Sequence, residues 1–120
     1  MHIASVAASC AVAVVAFLHI LFFALESFLW TKPFGRRVFG LSAALAENTA
    51  SLALNQGLYN GFLAAGLIWG LAAHEYGVKI FFLSCVVIAG IVGGLTAKRS
   101  ILLIQAFPGA VALLLVLFTK

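Results

Sequence analysis

Four stretches of this chain, about Ile3 to Trp30, Leu52 to Ala73, Ile80 to Thr96 and Ile101 to Phe118, are apolar over long distances. About 20 helical residues suffice to cross the hydrocarbon core of a bilayer, so each stretch is a candidate span. Inside lipid every backbone amide must be satisfied within the protein, which makes helices the natural conformation. The two-residue alternation of a membrane β-barrel is absent. Composition agrees: 65% of the residues are hydrophobic and 8% charged, against roughly 25% charged in a soluble domain. The expectation is an all-α polytopic membrane protein in which residues 1–120 form a single four-helix transmembrane domain.

The first stretch has no basic leader and stays apolar well beyond the roughly 7–15 residues of a secretory signal core, so it is read as a retained helix. Cys10 and Cys85 lie far apart without flanking histidines, a pattern of small hydrophobes inside apolar helices rather than a disulfide or metal site. The net charge of +4 does not point to nucleic acid, because the basic residues sit at helix ends. With four spans, Lys32, Arg36, Arg37, Lys98 and Arg99 share one side, and only Lys79 and Lys120 lie on the other. The positive-inside rule then puts the first group in the cytoplasm and both termini in the periplasm of a bacterial inner membrane. His74 and Glu75 mark the outer turn between the second and third spans.

Helix 1 is expected to present Ser5, Ala8, Val12, Ala16, His19, Phe23, Glu26 and Trp30 as one stripe toward the bundle. Val14, Phe17, Leu18, Leu21, Leu25 and Phe28 then face lipid. Lys32-Pro33-Phe34-Gly35 ends this helix. Arg36 to Ala46 mixes cations with Val38, Phe39, Leu41 and Leu45, the composition of a short helix in the headgroup layer between helices 1 and 2. Asn48 or Thr49 is the expected cap of helix 2. Gly57 and Gly61 in helix 2, and Gly90, Gly93 and Gly94 in helix 3, are expected close-approach points between helices. Pro108 should bend helix 4 and disturb the ladder near Gln105.

Ionisable groups inside an apolar span are costly and usually functional, which singles out His19 and Glu26. Seven residues apart, they lie two turns apart on one helix face, about 10 Å along the axis. Helix 1 descends toward the cytoplasm where helix 2 begins, so Glu26 and Trp30 should lie level with Asn55, Gln56, Tyr59 and Asn60. Gln105 and Thr96 belong to the same half of the membrane. One polar pocket open to the inner leaflet could collect these groups, with Gly66 and Gly70 leaving space beneath its mouth. Glu26 would be its proton-binding carboxylate, suited to proton coupling or to acid-base work. The bland alternatives are a solvated Glu26 at headgroup level, a histidine bonded to a neighbouring helix, and amides that merely glue helices together. No phosphate-binding loop, Cys-x-x-Cys, His-Glu-x-x-His or Gly-x-Ser-x-Gly sequence is present, so neither cofactor nor metal is expected.

The run from Asn55 to Leu67, Asn-Gln-Gly-Leu-Tyr-Asn-Gly-Phe-Leu-Ala-Ala-Gly-Leu, preceded by His19, Glu26 and Trp30, resembles a family of small bacterial inner-membrane proteins, the domain of unknown function DUF1304. The resemblance covers the whole chain and implies a four-helix membrane protein without an established activity. In residue types alone the chain is also similar to the sterol-isomerase and sigma-2-receptor group. Small multidrug transporters share its length, its four spans and a glutamate in the first helix, although Glu26 lies near that helix's end.

The leading expectation is a membrane protein that binds or moves an amphiphilic small molecule or lipid, with proton coupling as its extension. Its site residues are His19, Glu26, Trp30, Asn55, Gln56, Tyr59, Asn60 and Gln105. A membrane-embedded enzyme doing acid-base, isomerase-like chemistry on a lipid is the second expectation, with His19 and Glu26 as proton donor and acceptor. The third is a structural or accessory subunit. A homo-oligomer is compatible with each.

Overall fold

The computed structural model describes residues 3–119, almost all of them helical. In order along the chain come α1 (Ile3–Ser27), α2 (Pro33–Phe39), α3 (Ala43–Ala72), α4 (Tyr76–Thr96), a π-helical turn (Leu102–Ala106) and α5 (Phe107–Phe118). The chain divides into two compact units. One holds the residues up to Leu18 and from Leu63 onward; the other is His19–Phe62.

In the first unit the core is built from Val12, Val15, Leu67, Leu83, Val86 and Ala112, each at most 1% exposed. Ala8, Ala16 and Val116 complete it. On α1 the expected stripe is the buried one, with Ala8, Val12, Ala16 and His19 inaccessible, while Val14, Phe17 and Leu21 on the other side are exposed.

Small residues let these helices approach. A side chain at Gly90 would meet the Ala106 backbone nitrogen at 2.7 Å, and one at Gly94 would run into Leu102. Gly93 is looser, with Ile101 at 3.5 Å. Gly66 and Gly70 correct an expectation, because the space beside them is filled: the Phe82 ring lies against Gly66, and the Lys79 stem against Gly70. A bulky aromatic one helix away supplies the volume that the glycine lacks.

Pro108 acts as expected on the ladder, through a widened turn. Having no N–H, it cannot complete the α-helical pattern, and the chain shifts register just before it: the Phe107 N–H bonds to the Leu102 carbonyl, five residues back. Such single wide turns are how a helix absorbs a local mismatch.

In the second unit three boundaries differ from the sequence expectation. Helix α1 ends at Ser27 rather than Trp30, because Phe28 N and Leu29 N both bond the Ala24 carbonyl at 3.1 Å and close the helix early. The following turn is so tight that a Cβ on Gly35 would collide with the Leu29 carbonyl. The short helix is Pro33–Phe39, not Arg36 to Ala46. It opens on proline, whose fixed φ suits a first helical turn, and stops at Gly40 in the left-handed region (φ 66°). Phe34 and Val38 of α2 stay about half exposed. Helix α3 is then capped by Ser42, whose Oγ accepts the Leu45 N–H at 3.1 Å, not by Asn48 or Thr49. The run Ala43-Ala44-Leu45-Ala46 favours helix strongly enough to start it as soon as a cap is available.

Helices α1 and α3 meet in this unit through the two expected glycines. A Cβ at Gly57 would press on the Ser27 side chain and lie 3.0 Å from Glu26 Cβ; one at Gly61 would lie 3.2 Å from the Phe23 ring. Ser27 Oγ also donates to the Leu54 carbonyl at 3.0 Å.

Candidate functional site

The close approach at Gly57 brings the end of α1 against the polar start of α3, and a groove of about 250 Å³ lies there, lined by Glu26, Trp30, Thr49, Leu52, Ala53 and Gln56. Thr49, Ala53, Gln56 and Asn60 follow one another at intervals of four, three and four residues, so they form one face of α3.

Glu26 is fixed by Asn60, whose Nδ2 donates to Glu26 Oε1 at 2.5 Å. Asn60 is buried, 7% exposed, and its bond leaves the second carboxyl oxygen of Glu26 without a partner from this amide. Trp30 lies outside the helix, yet its ring is held firmly. Its Nε1 donates to Thr49 Oγ1 at 3.0 Å, Thr49 Oγ1 donates to the Leu45 carbonyl at 2.7 Å, and the Phe39 ring packs on it with centroids 4.8 Å apart. The groove thus has an aromatic wall from Trp30, apolar lining from Leu52 and Ala53, and two polar groups, Glu26 and Gln56. Glu26 and Gln56 thereby offer hydrogen-bond acceptors beside an apolar surface.

Of the residues singled out in the sequence, Glu26, Trp30 and Gln56 line the groove, with Asn60 bonded to Glu26. Asn55 and Tyr59, one position back on the same helix, fall on its exposed flank; the Tyr59 ring lies tilted beside Phe62 with centroids 6.0 Å apart. His19 is fully buried, edge-on to Phe22 at 5.2 Å, and is not among the lining residues. Gln105 belongs to the other unit, where its Nε2 donates to the Val86 carbonyl at 3.1 Å. Thr96 bonds back to Val92 within its own helix. Thr49 is the residue that sequence reasoning placed in another role; its spacing to Ala53, Gln56 and Asn60 was the available signal. Among the described residues no group of three His, Cys, Asp or Glu is arranged to hold a metal ion.

A family model described as "Protein of unknown function (DUF1304)" matches residues 13–117. The chain belongs to the DUF1304 family. The matched stretch contains both sides of the groove, from Glu26 and Trp30 to Gln56 and Asn60. No curated protein and no solved structure matches the chain.

Proposed function

We propose that this DUF1304 protein is a four-span inner-membrane protein whose Glu26 groove, opening toward the cytoplasmic leaflet, binds an amphiphilic small molecule or lipid with a hydrogen-bond-donating head. Proton-coupled movement of that ligand is the natural extension, since a carboxylate that exchanges a proton for a ligand couples the two. The observation that carries the reading is the Asn60-anchored Glu26 carboxyl beside a fixed indole. An apolar chain would lie along Leu52 and Ala53 while its head meets Glu26 and Gln56.

Membrane insertion is supported by α1 and α4, which are long and apolar enough to cross a membrane. Only 28% and 22% of their most apolar windows are buried, whereas a core helix of a soluble protein would be mostly buried. Phe17, Phe81, Ile88 and Leu95 stand more than half exposed, and lipid is the solvent that suits them. In this reading α3 crosses as the second span despite its amides, because they turn toward neighbouring helices or the interface, and the π-helical turn with α5 completes the fourth span.

Glu26→Gln tests the groove. The amide preserves shape and can still accept from Asn60, so melting temperature should stay within a few degrees of wild type, while retention of the co-purifying amphiphile, read by mass spectrometry, should fall about tenfold, as expected for loss of a charge-assisted hydrogen bond. Undiminished retention would overturn the reading.

Orientation has its own test. In a protein with Cys10 and Cys85 replaced, a single cysteine beside Lys98 should resist an impermeant thiol reagent in intact cells, and one at the C-terminus should react. The reverse pattern would place the basic loops outside.

A further inference from the structure

In the other unit, where the start of α1, the turn between α3 and α4 and the end of α5 come together, lies a recess of about 260 Å³ whose lining includes Ser5, Ser9, His74, Tyr76, Lys79 and Thr119. We propose that this recess is a binding site for a phosphate group, free or as a lipid headgroup, with the Lys79 ammonium as its principal contact. This goes beyond the groove at Glu26 and does not depend on it.

The lining is made for an acceptor. Lys79 is half buried, its stem laid against Gly70, and it has no carboxylate partner among the described residues. Glu75, the nearest acid in sequence, is exposed and does not line the recess; its contact with Lys79 is through the backbone, the Lys79 N–H donating to its carbonyl. An ammonium held in this way offers three donors and no acceptor. Ser5 and Ser9, four residues apart, fall on one face of α1. Hydroxyls in apolar helices usually bond back to the carbonyl four residues earlier, as Ser84, Thr96 and Thr119 do here. Ser9 has no such bond among the described residues, so its hydroxyl is available to a ligand. Phosphate oxygens accept from ammonium, imidazole N–H and hydroxyl alike, and the charge of a phosphate balances the lysine.

His74 adds a second indication. The turn after α3 closes with the Glu75 N–H on the Gly70 carbonyl at 3.0 Å and the His74 N–H on the Leu71 carbonyl at 3.3 Å. That is the pattern in which glycine normally occupies the left-handed position, as Gly40 does after α2. Here a histidine holds it at φ 53°, a conformation costly for a residue with a Cβ, and its imidazole lines the recess. A side chain retained at a glycine position points to a use for that side chain.

The test uses the full chain in nanodiscs of purely zwitterionic lipid, titrated separately with inorganic phosphate and with a short-chain phosphatidic acid, and followed by ³¹P NMR and thermal shift. Wild type should bind at least one of the two: inorganic phosphate if the free ion is the ligand, only the phosphatidic acid if a headgroup is. Lys79→Gln should weaken that binding about tenfold or more, Lys79→Arg should preserve it, and Glu26→Gln should leave it unchanged. Ser9→Ala, a mild exposed change that cannot disturb the fold, should weaken it several-fold. His74→Gly should raise the melting temperature while lowering affinity, a combination that a purely structural turn residue would not give. The proposal fails if wild type binds neither probe, or if Lys79→Gln and Ser9→Ala both bind as wild type does.

Discussion

Gly90→Ala should destabilise the protein by about 1–3 kcal/mol, although the same substitution in an open helix is worth up to about 1 kcal/mol in the favourable direction. The added methyl would meet Ala106 N at 2.7 Å and Ala106 Cα at 2.9 Å. These are backbone atoms of the π-helical turn, which cannot swing aside as a side chain can, so relief requires moving the turn itself. Gly93→Ala, three residues on in the same helix, has only Ile101 methyl groups at 3.5 Å in its way, an ordinary contact. That variant should match wild type or exceed it slightly in thermal unfolding in detergent. Equal melting temperatures for the two variants would mean that α4 and the π-helical turn are not in the close contact described.

The contrast shows which parts of this molecule were legible in the sequence. The buried stripe of α1 follows from spacing alone, since Ala8, Val12, Ala16 and His19 recur at three or four residues on the face that gathers the polar and most of the small side chains. Gly90, Gly57 and Gly61 were legible as close-approach points because an apolar helix has little other reason to leave side chains out. The element ends were not. Where α1 stops depends on an early closure at Ala24 and a collision-tight turn at Gly35, and where α3 starts depends on Ser42 being in place to cap it; these are local bonds a few residues long that a hydropathy pattern does not see.

The site divides in the same way. Pairing Glu26 with the amide cluster of α3 needed only the depth argument, and Asn60 takes that role. Which of the four polar residues would face Glu26 needed the rotation of α3, and it turns Gln56 and Asn60 toward the groove while Asn55 and Tyr59 stay on the exposed flank. The emptiness inferred beside Gly66 failed for a different reason. A glycine reports a missing side chain on its own helix and says nothing of what its neighbour supplies, which here is Phe82.

His19→Ala should cost about 2–4 kcal/mol of stability, in the range of large-to-small changes at fully buried positions. The sequence leaves two outcomes open: a histidine kept for function could be truncated with folding nearly intact, whereas one that holds helices together could not. Its complete burial and its edge contact with Phe22 favour the second, because removing an imidazole from a closed site leaves a cavity lined by groups that have lost their contacts. His19→Leu separates packing from polarity. If volume is what matters, leucine refills most of the space and restores most of the melting temperature; if it restores little, the imidazole's polar interactions hold this part of the fold. In either case His19→Ala and Glu26→Gln should differ in kind. The first lowers the melting temperature in the absence of any ligand, and the second leaves it nearly unchanged while releasing the amphiphile. Were His19→Ala to unfold at the wild-type temperature, the site around His19 would have to collapse on truncation, and its place among the packing residues would be wrong.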